Sequence, residues 1–109
     1  MNVSEIAILE KIKKYAIQAE YFKINMDFTE FSNDDKTIAA CMLNLSQIGE
    51  LAGRLDKNFT NAHDQIPWNK IIGMRNRIVH DYEGLRMNII WDILENFLPE
   101  LVDSINELK

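Results

Sequence analysis

The chain is predicted to fold as an all-α domain, an antiparallel four-helix-bundle-like arrangement, on three observations. Apolar residues recur at steps of three and four along most of its length, the period that turns one helix face toward a core. No stretch alternates apolar and polar residues with the period of two that marks a half-buried strand. Four glycines and two prolines in 109 residues leave few places for the chain to turn, and long helices with short connections pack as antiparallel neighbours. A chain of this length buries roughly two-thirds of its unfolded surface, so residues 1–109 are expected to form a single domain needing neither metal nor disulfide to fold.

The elements follow in order. From Val3 to Lys23, Ile6, Leu9, Ile12, Ala16, Ala19 and Phe22 form an apolar stripe, and Glu5, Glu10, Lys11, Lys13, Lys14 and Glu20 fall mostly off it. A break is expected through Asn25–Phe31, after which Ser32, Asn33 and Asp34 all suit the N-cap of a second helix. That helix runs to about Leu55 on the stripe Ile38, Cys41, Leu45, Ile48, Ala52 and Leu55. Ala39, Ala40, Gly49, Ala52 and Gly53 are small enough to let neighbouring helices approach closely. Residues Asp56 to Ile66 are polar and read as a loop with room for one helical turn. Pro67 is expected in the first turn of a third helix, where its missing N–H costs nothing. This helix should run to about Tyr82, packing through Ile71, Ile72, Met74, Ile78 and Val79, with Gly84 as its stop signal. The last segment, Arg86 to Leu108, presents Ile90, Leu94, Phe97, Leu101, Ile105 and Leu108, and Pro99 is expected to kink or break it.

Composition restricts function. The single cysteine, Cys41, cannot form an internal disulfide, and no Cys/His spacing suits structural zinc, which together point to a reducing compartment, the cytoplasm. No leader-like N-terminus and no run near 18 apolar residues occur, so no membrane association is expected. The net charge of −5 argues against indiscriminate coating of nucleic acid. Residues 67–86 nevertheless carry +2 and three of the four arginines, leaving −7 for the rest. A segment of that kind can hold one phosphate through the forked donors of a guanidinium.

Within that segment lies Arg75-Asn76-Arg77-Ile78-Val79-His80-Asp81-Tyr82. Cutting RNA without a metal needs a base for the 2′-hydroxyl proton, an acid for the departing 5′-oxygen, and positive charge on the crowded phosphorus. Histidine titrates near pH ~6.5, so His80 can exchange protons at neutral pH, and Arg75 stays charged to hold the phosphate. Asn76 precedes His80 by one helical turn and shares its face, where its amide could orient the imidazole. Arg77 is a supporting, RNA-facing candidate. Arg75 and His80 stand about 140° apart around an ideal helix and roughly 7.5 Å apart along it. Either the helix distorts near His80, or a second copy completes the site across a twofold axis; the twofold is the favoured reading. Tyr82, two turns beyond Arg75, falls on the arginine's side of the helix.

These residues resemble the Arg-x4-6-His motif of the HEPN superfamily, in the form ending His-x-Tyr found in HepT-like toxins. Ile48-Gly49-Glu50-Leu51-Ala52-Gly53-Arg54-Leu55 is similar to that family's second-helix signature, and Ile66-Pro67-Trp68 with Ile71-Ile72-Gly73-Met74 to its approach to the motif. The resemblance implies a HEPN-type helical bundle, a homodimer around the motif, and an endoribonuclease needing no metal or other cofactor. It implies an RNA substrate and a cognate nucleotidyltransferase antitoxin that silences the toxin by transferring AMP to Tyr82. Glu83 departs from the family pattern, which often has an aromatic residue there, and its charge beside Tyr82 opposes RNA approach. The alternative is a catalytically silent helical partner, or substrate-binding subunit, of a nucleotidyltransferase. A bare oligomerisation module is a third reading.

Other conspicuous residues have structural explanations. Cys41 lies on an apolar stripe and suits a small core position. Trp68 and Trp91 suit the core or an interface, and either could stack on a base. His63 is expected to be exposed; Glu50 could contact the motif from the second helix, but a surface carboxylate is the favoured reading. Asp34 and Asp35 complement the positive end of a helix.

Overall fold

The computed structural model describes residues 1–80 and 86–108, with the backbone alone for Val79 and His80. The described residues are helical, with no strand among them. Helix α1 (Val3–Phe22) begins at a reciprocal cap: Asn2 Oδ1 accepts from Glu5 N at 2.8 Å, and Asn2 N donates to Glu5 Oε1 at 2.9 Å. Its core face is Leu9, Ile12, Ala16 and Ala19, whereas Ile6, on the same stripe, stays largely exposed at the open end of the bundle. Asn25 then takes a left-handed conformation (φ 65°), which asparagine tolerates better than most residues, and the chain turns.

The expected break through Asn25–Phe31 is in part helical, because helix α2 occupies Phe28–Ser32. Asp27-x-x-Glu30 forms a second reciprocal cap, with Asp27 Oδ1 accepting from Glu30 N at 2.8 Å, and burial of Phe31 anchors this short turn. Of the three candidate caps for the next helix, Asp34 is used, its carboxylate accepting from Thr37 N at 3.0 Å. Helix α3 (Asp35–Gly53) buries the whole expected stripe, and Leu55 follows just past its end. The polar stretch after it forms one short helix, α4 (Lys57–Ala62), capped by Asp56. His63 is half-buried rather than exposed: its ring packs on Phe59 at 4.5 Å, and its carbonyl accepts from Trp68 Nε1 at 3.0 Å.

Helix α5 spans Trp68–His80. Pro67 stands one residue before it, its carbonyl accepting from Lys70 N and Ile71 N at 3.1 and 3.2 Å, so the proline opens the helix from outside the first turn. The expected end near Tyr82 and the stop at Gly84 lie outside the described residues. Helix α6 (Met87–Asp92), a π-helical turn (Ile93–Phe97) and helix α7 (Leu98–Asn106) follow one another without a break. Pro99 does not interrupt this run. Leu98 N bonds to Ile93 O, five residues back, and this widened turn accommodates the missing donor and the ring of Pro99. The buried face runs through Ile90, Leu94, Leu98, Leu101 and Ile105, taking Leu98 inside in place of Phe97.

Helix α3 lies at the centre, with α1 along one side and α5 along another, and α7 also packs on α1. Asn44 is buried on α3, and its Nδ2 donates to Tyr15 O at 3.2 Å and Gln18 Oε1 at 2.9 Å, tying α3 to α1. Lys23, 6% exposed, is the other buried polar residue of the core. Its ammonium meets Glu95 at 2.6 Å and Glu20 at 3.3 Å and lies 4.8 Å from the Trp91 ring centroid, joining the end of α1 to the C-terminal helical run. Burial opposes the Lys23 charge, but the hydrogen bond to Glu95 and the two carboxylate charges outweigh it and raise its pKa. Burial raises Glu20 against the pull of Lys23. Cys41 is fully buried, and desolvation pushes its thiol up to about 11.

Candidate active site

The motif helix meets the centre of the bundle at a glycine. A Cβ built on Gly49 of α3 would lie 2.1 Å from Arg75 Cβ and 3.0 Å from the Ile71 carbonyl oxygen of α5, so the two backbones cross at a distance that only glycine permits. The crossing sets the base of the Arg75 side chain directly on α3. Gly53, four residues on, has nothing within 4 Å of such a Cβ, and Ala39 is exposed. The close approach is therefore local to Gly49, not a property of the small residues as a group.

Beside Gly49 stands Glu50, whose Oε2 lies 3.3 Å from Arg75 Nε. Its Oε1 lies 3.8 Å from Arg54 Nη2, a looser contact one turn along the same helix. Arg75 Nη1 donates to Asn76 Oδ1 at 3.1 Å. The guanidinium is thus gripped at its Nε side and at one terminal nitrogen while keeping a third of its side-chain surface exposed. An arginine offers five N–H donors in one plane, so an Nη edge still remains to fork onto a phosphate. Glu50, expected to be a surface carboxylate, is half-exposed but partnered with the motif arginine. No local pattern marks it, because the contact joins residues 25 positions apart on different helices.

The other candidates are distributed as follows. Asn76 is exposed, and its carbonyl oxygen is engaged by Arg75, so toward residue 80 it has its amide nitrogen to offer. Arg77 faces away from Arg75, into an open apolar groove of about 440 Å³ between α5 and the C-terminal helical run, shared with Lys70, Met74, Ile78, Ile89 and Ile93. His80 is the last described residue of α5, which runs without interruption from Trp68 to it. The His80 side chain, Tyr82 and Glu83 lie outside the described residues. Arg75 and His80 are therefore five residues apart on one continuous helix. Trp68 is buried beside Phe59, and Trp91, partly buried, packs against Phe28 and Phe31. Among the described residues no three His, Cys, Asp or Glu side chains gather as a metal would require, and no helix is long and apolar enough to cross a membrane.

The arrangement presents a fixed cation, a titratable residue on the same helix and an apolar face beside them. Comparison with known proteins identifies the family. The family described as "Ribonuclease HepT-like" matches residues 7–108. A protein of Methanocaldococcus jannaschii named "Putative RNase MJ0127" is 37% identical over 87 residues, covering 80% of this chain and 72% of the relative. One of Caldanaerobacter subterraneus subsp. tengcongensis named "Putative RNase TTE0752" is 34% identical over 83 residues, 76% of this chain and 74% of the relative. A Thermococcus cleftensis protein named "Probable ribonuclease HepT" is 29% identical over 109 residues, 100% of this chain and 99% of the relative. No solved structure matches the chain.

Proposed function

This chain is a member of the HepT-like ribonuclease family, and from that membership we propose that it is an endoribonuclease working without a metal ion, with Arg75 and His80 at its centre. The observation that carries the reading is the Arg75 guanidinium, held from behind by Glu50 and Asn76 and partly open to solvent on the helix that ends in His80. In the reaction the 2′-oxygen attacks phosphorus and the bond to the 5′-oxygen breaks. The 2′-hydroxyl proton passes to an imidazole, a proton is returned to the departing oxygen, and the products are a 2′,3′-cyclic phosphate and a 5′-hydroxyl. Arg75 stabilises the charge on the phosphorane oxygens, an interaction strongest at the transition state. Asn76 assists in orientation, and Arg77, turned away from Arg75, supports the site through the groove.

The roughly 140° that five residues turn on a continuous helix favours a site shared between two chains. A twofold axis beside this helix brings two copies of His80 to one cleft, one to accept the proton and one to supply it. The groove between α5 and the C-terminal run suits that contact: its floor is apolar, and Lys70 and Arg77 line a stretch that continues to Asp92 on the opposite wall, so both charge signs are available to meet their copies. The regulator in this reading is a nucleotidyltransferase antitoxin that joins the Tyr82 oxygen to the α-phosphorus of ATP and releases pyrophosphate. The added phosphate and adenosine place negative charge and bulk beside Arg75 and exclude RNA.

Cleavage of RNA by the purified, unmodified protein is the test. It should persist in EDTA, yield cyclic phosphate ends, and be lost in Arg75→Ala and His80→Ala. A folded dimer that leaves cellular RNA intact would make the ribonuclease reading wrong and favour the silent partner. Modification is read by intact mass, each AMP adding roughly 329 Da, with none added to Tyr82→Phe.

A further inference from the structure

The Glu50 carboxylate stands at 3.3 Å from the Nε of Arg75, next in sequence to the one glycine that lets α3 and α5 touch at that arginine. We propose that Glu50 is the positioning residue of the ribonuclease site: it holds the Nε side of the Arg75 guanidinium so that an Nη edge faces the scissile phosphate. The proposal rests on the ribonuclease reading above and adds a residue to it.

Three features support it. An arginine side chain is long and flexible, and a guanidinium that wanders cannot be pre-aimed at a developing charge. Gly49 limits the wandering at the root by seating Arg75 Cβ against the α3 backbone, and Glu50 limits it at the head. The carboxylate stands as an ion-pair partner on the Nε side, and the Asn76 carbonyl oxygen accepts one hydrogen of Nη1, a division that biases the planar fork to one direction. Arg54, 3.8 Å from the other carboxylate oxygen and mostly exposed, offsets part of the negative charge that Glu50 brings to a phosphate-binding place.

A surface charge of no consequence and a positioning residue differ in sign. Removing a carboxylate from beside a phosphate site reduces repulsion, so by charge alone RNA should bind more tightly and be cleaved at least as fast. If Glu50 aims Arg75, the rate at saturating RNA must fall although binding does not weaken. For Glu50→Ala we expect that rate to drop about 10- to 100-fold, the scale of a small misplacement of a reacting group, with KM unchanged or lower. Glu50→Gln, whose amide oxygen can still accept from Nε, should recover a large part of the loss. Both variants should melt within a few degrees of the wild type, since the pair is half-exposed.

The assay is single-turnover cleavage of a fluorescently labelled RNA by the unmodified protein. An unchanged or higher saturating rate in Glu50→Ala overturns the proposal. Should the wild type not cleave RNA, the ribonuclease reading fails by itself, and the positioning contact is judged separately from the Arg75 Nε–H resonance in ¹⁵N–¹H spectra. A bonded Nε–H should give a distinct, slowly exchanging signal that collapses in Glu50→Ala and survives in Glu50→Gln. A signal indifferent to both substitutions overturns the contact.

Discussion

Replacing Gly49 by alanine sets two opposing effects against each other at one atom. In an ordinary helix interior the change stabilises by about 1 kcal/mol, because glycine has the greater backbone freedom to lose. Here the new methyl would sit 2.1 Å from Arg75 Cβ, more than 1 Å inside ordinary contact, against an atom rooted on the α5 backbone rather than the tip of a flexible side chain. Relief requires the α3–α5 crossing to open, and overpacking of this kind typically costs about 1–3 kcal/mol. With the Ile71 carbonyl also at 3.0 Å, the upper end applies, for a net loss of about 2 kcal/mol. For a chain near 100 residues that lowers the melting temperature by roughly 10 °C. The assay is thermal unfolding by circular dichroism at fixed protein concentration, with Gly53→Ala as the reference, since nothing lies within 4 Å of that site. Gly53→Ala should hold or raise the melting temperature, and Gly49→Ala should lower both it and the RNA-cleavage rate. A Gly49→Ala protein as stable and active as the wild type would refute the close crossing, and with it the seating of Arg75.

Three further outcomes are expected. Lys23→Met should destabilise by about 2 kcal/mol in urea titration, between the value of a surface pair and that of a fully buried one, because it strands the Glu20 and Glu95 carboxylates. Lys23 and Cys41 both have raised values in the fold, so each favours folding below its unfolded pKa and withdraws that support as pH rises. For the Cys41 thiol the loss falls between 9.0 and about 11, and stability should decline across that window while a thiol reagent at pH ~8 labels the unfolded protein and spares the native one. On the proposed dimer, Ile89→Glu, at a 37% exposed position in the apolar groove, should leave the helical spectrum intact and halve the mass seen by sedimentation, with loss of cleavage; a variant with the wild-type mass would refute a twofold contact at this groove.

Much of the fold was legible in the sequence because its causes are local. The stripe from Ile38 to Leu55 follows the helical period, and the structure buries all of it. Asp34 and Pro67 act near where their chemistry suggests. Local signals were also overlooked: Asp27-x-x-Glu30 carries a reciprocal cap that identifies α2 inside what reads as a break. Pro99 distorts the helix locally without breaking it, for a different reason. Its missing donor is real, but whether a helix breaks or widens into a π turn depends on the burial of Leu94 and Leu98, which holds the segment against the core.

The motif from Arg75 to Tyr82 stands within a few residues of one chain segment, so its residue types and the family it belongs to can be read from the sequence alone. Sequence also determined that Arg75 and His80 point apart, since that follows from helical pitch. What only the tertiary structure decided is the surroundings of Arg75: that Gly49, and not Gly53, meets α5 at that arginine, and that Glu50 reaches the guanidinium while Arg77 turns to the groove on another side. The physical reason is the geometry of a helix crossing. Which residues of two helices meet depends on where and at what angle the whole helices cross, and that is settled by the summed packing of α1, α3, α5 and α7, not by the residues beside Arg75 in the chain.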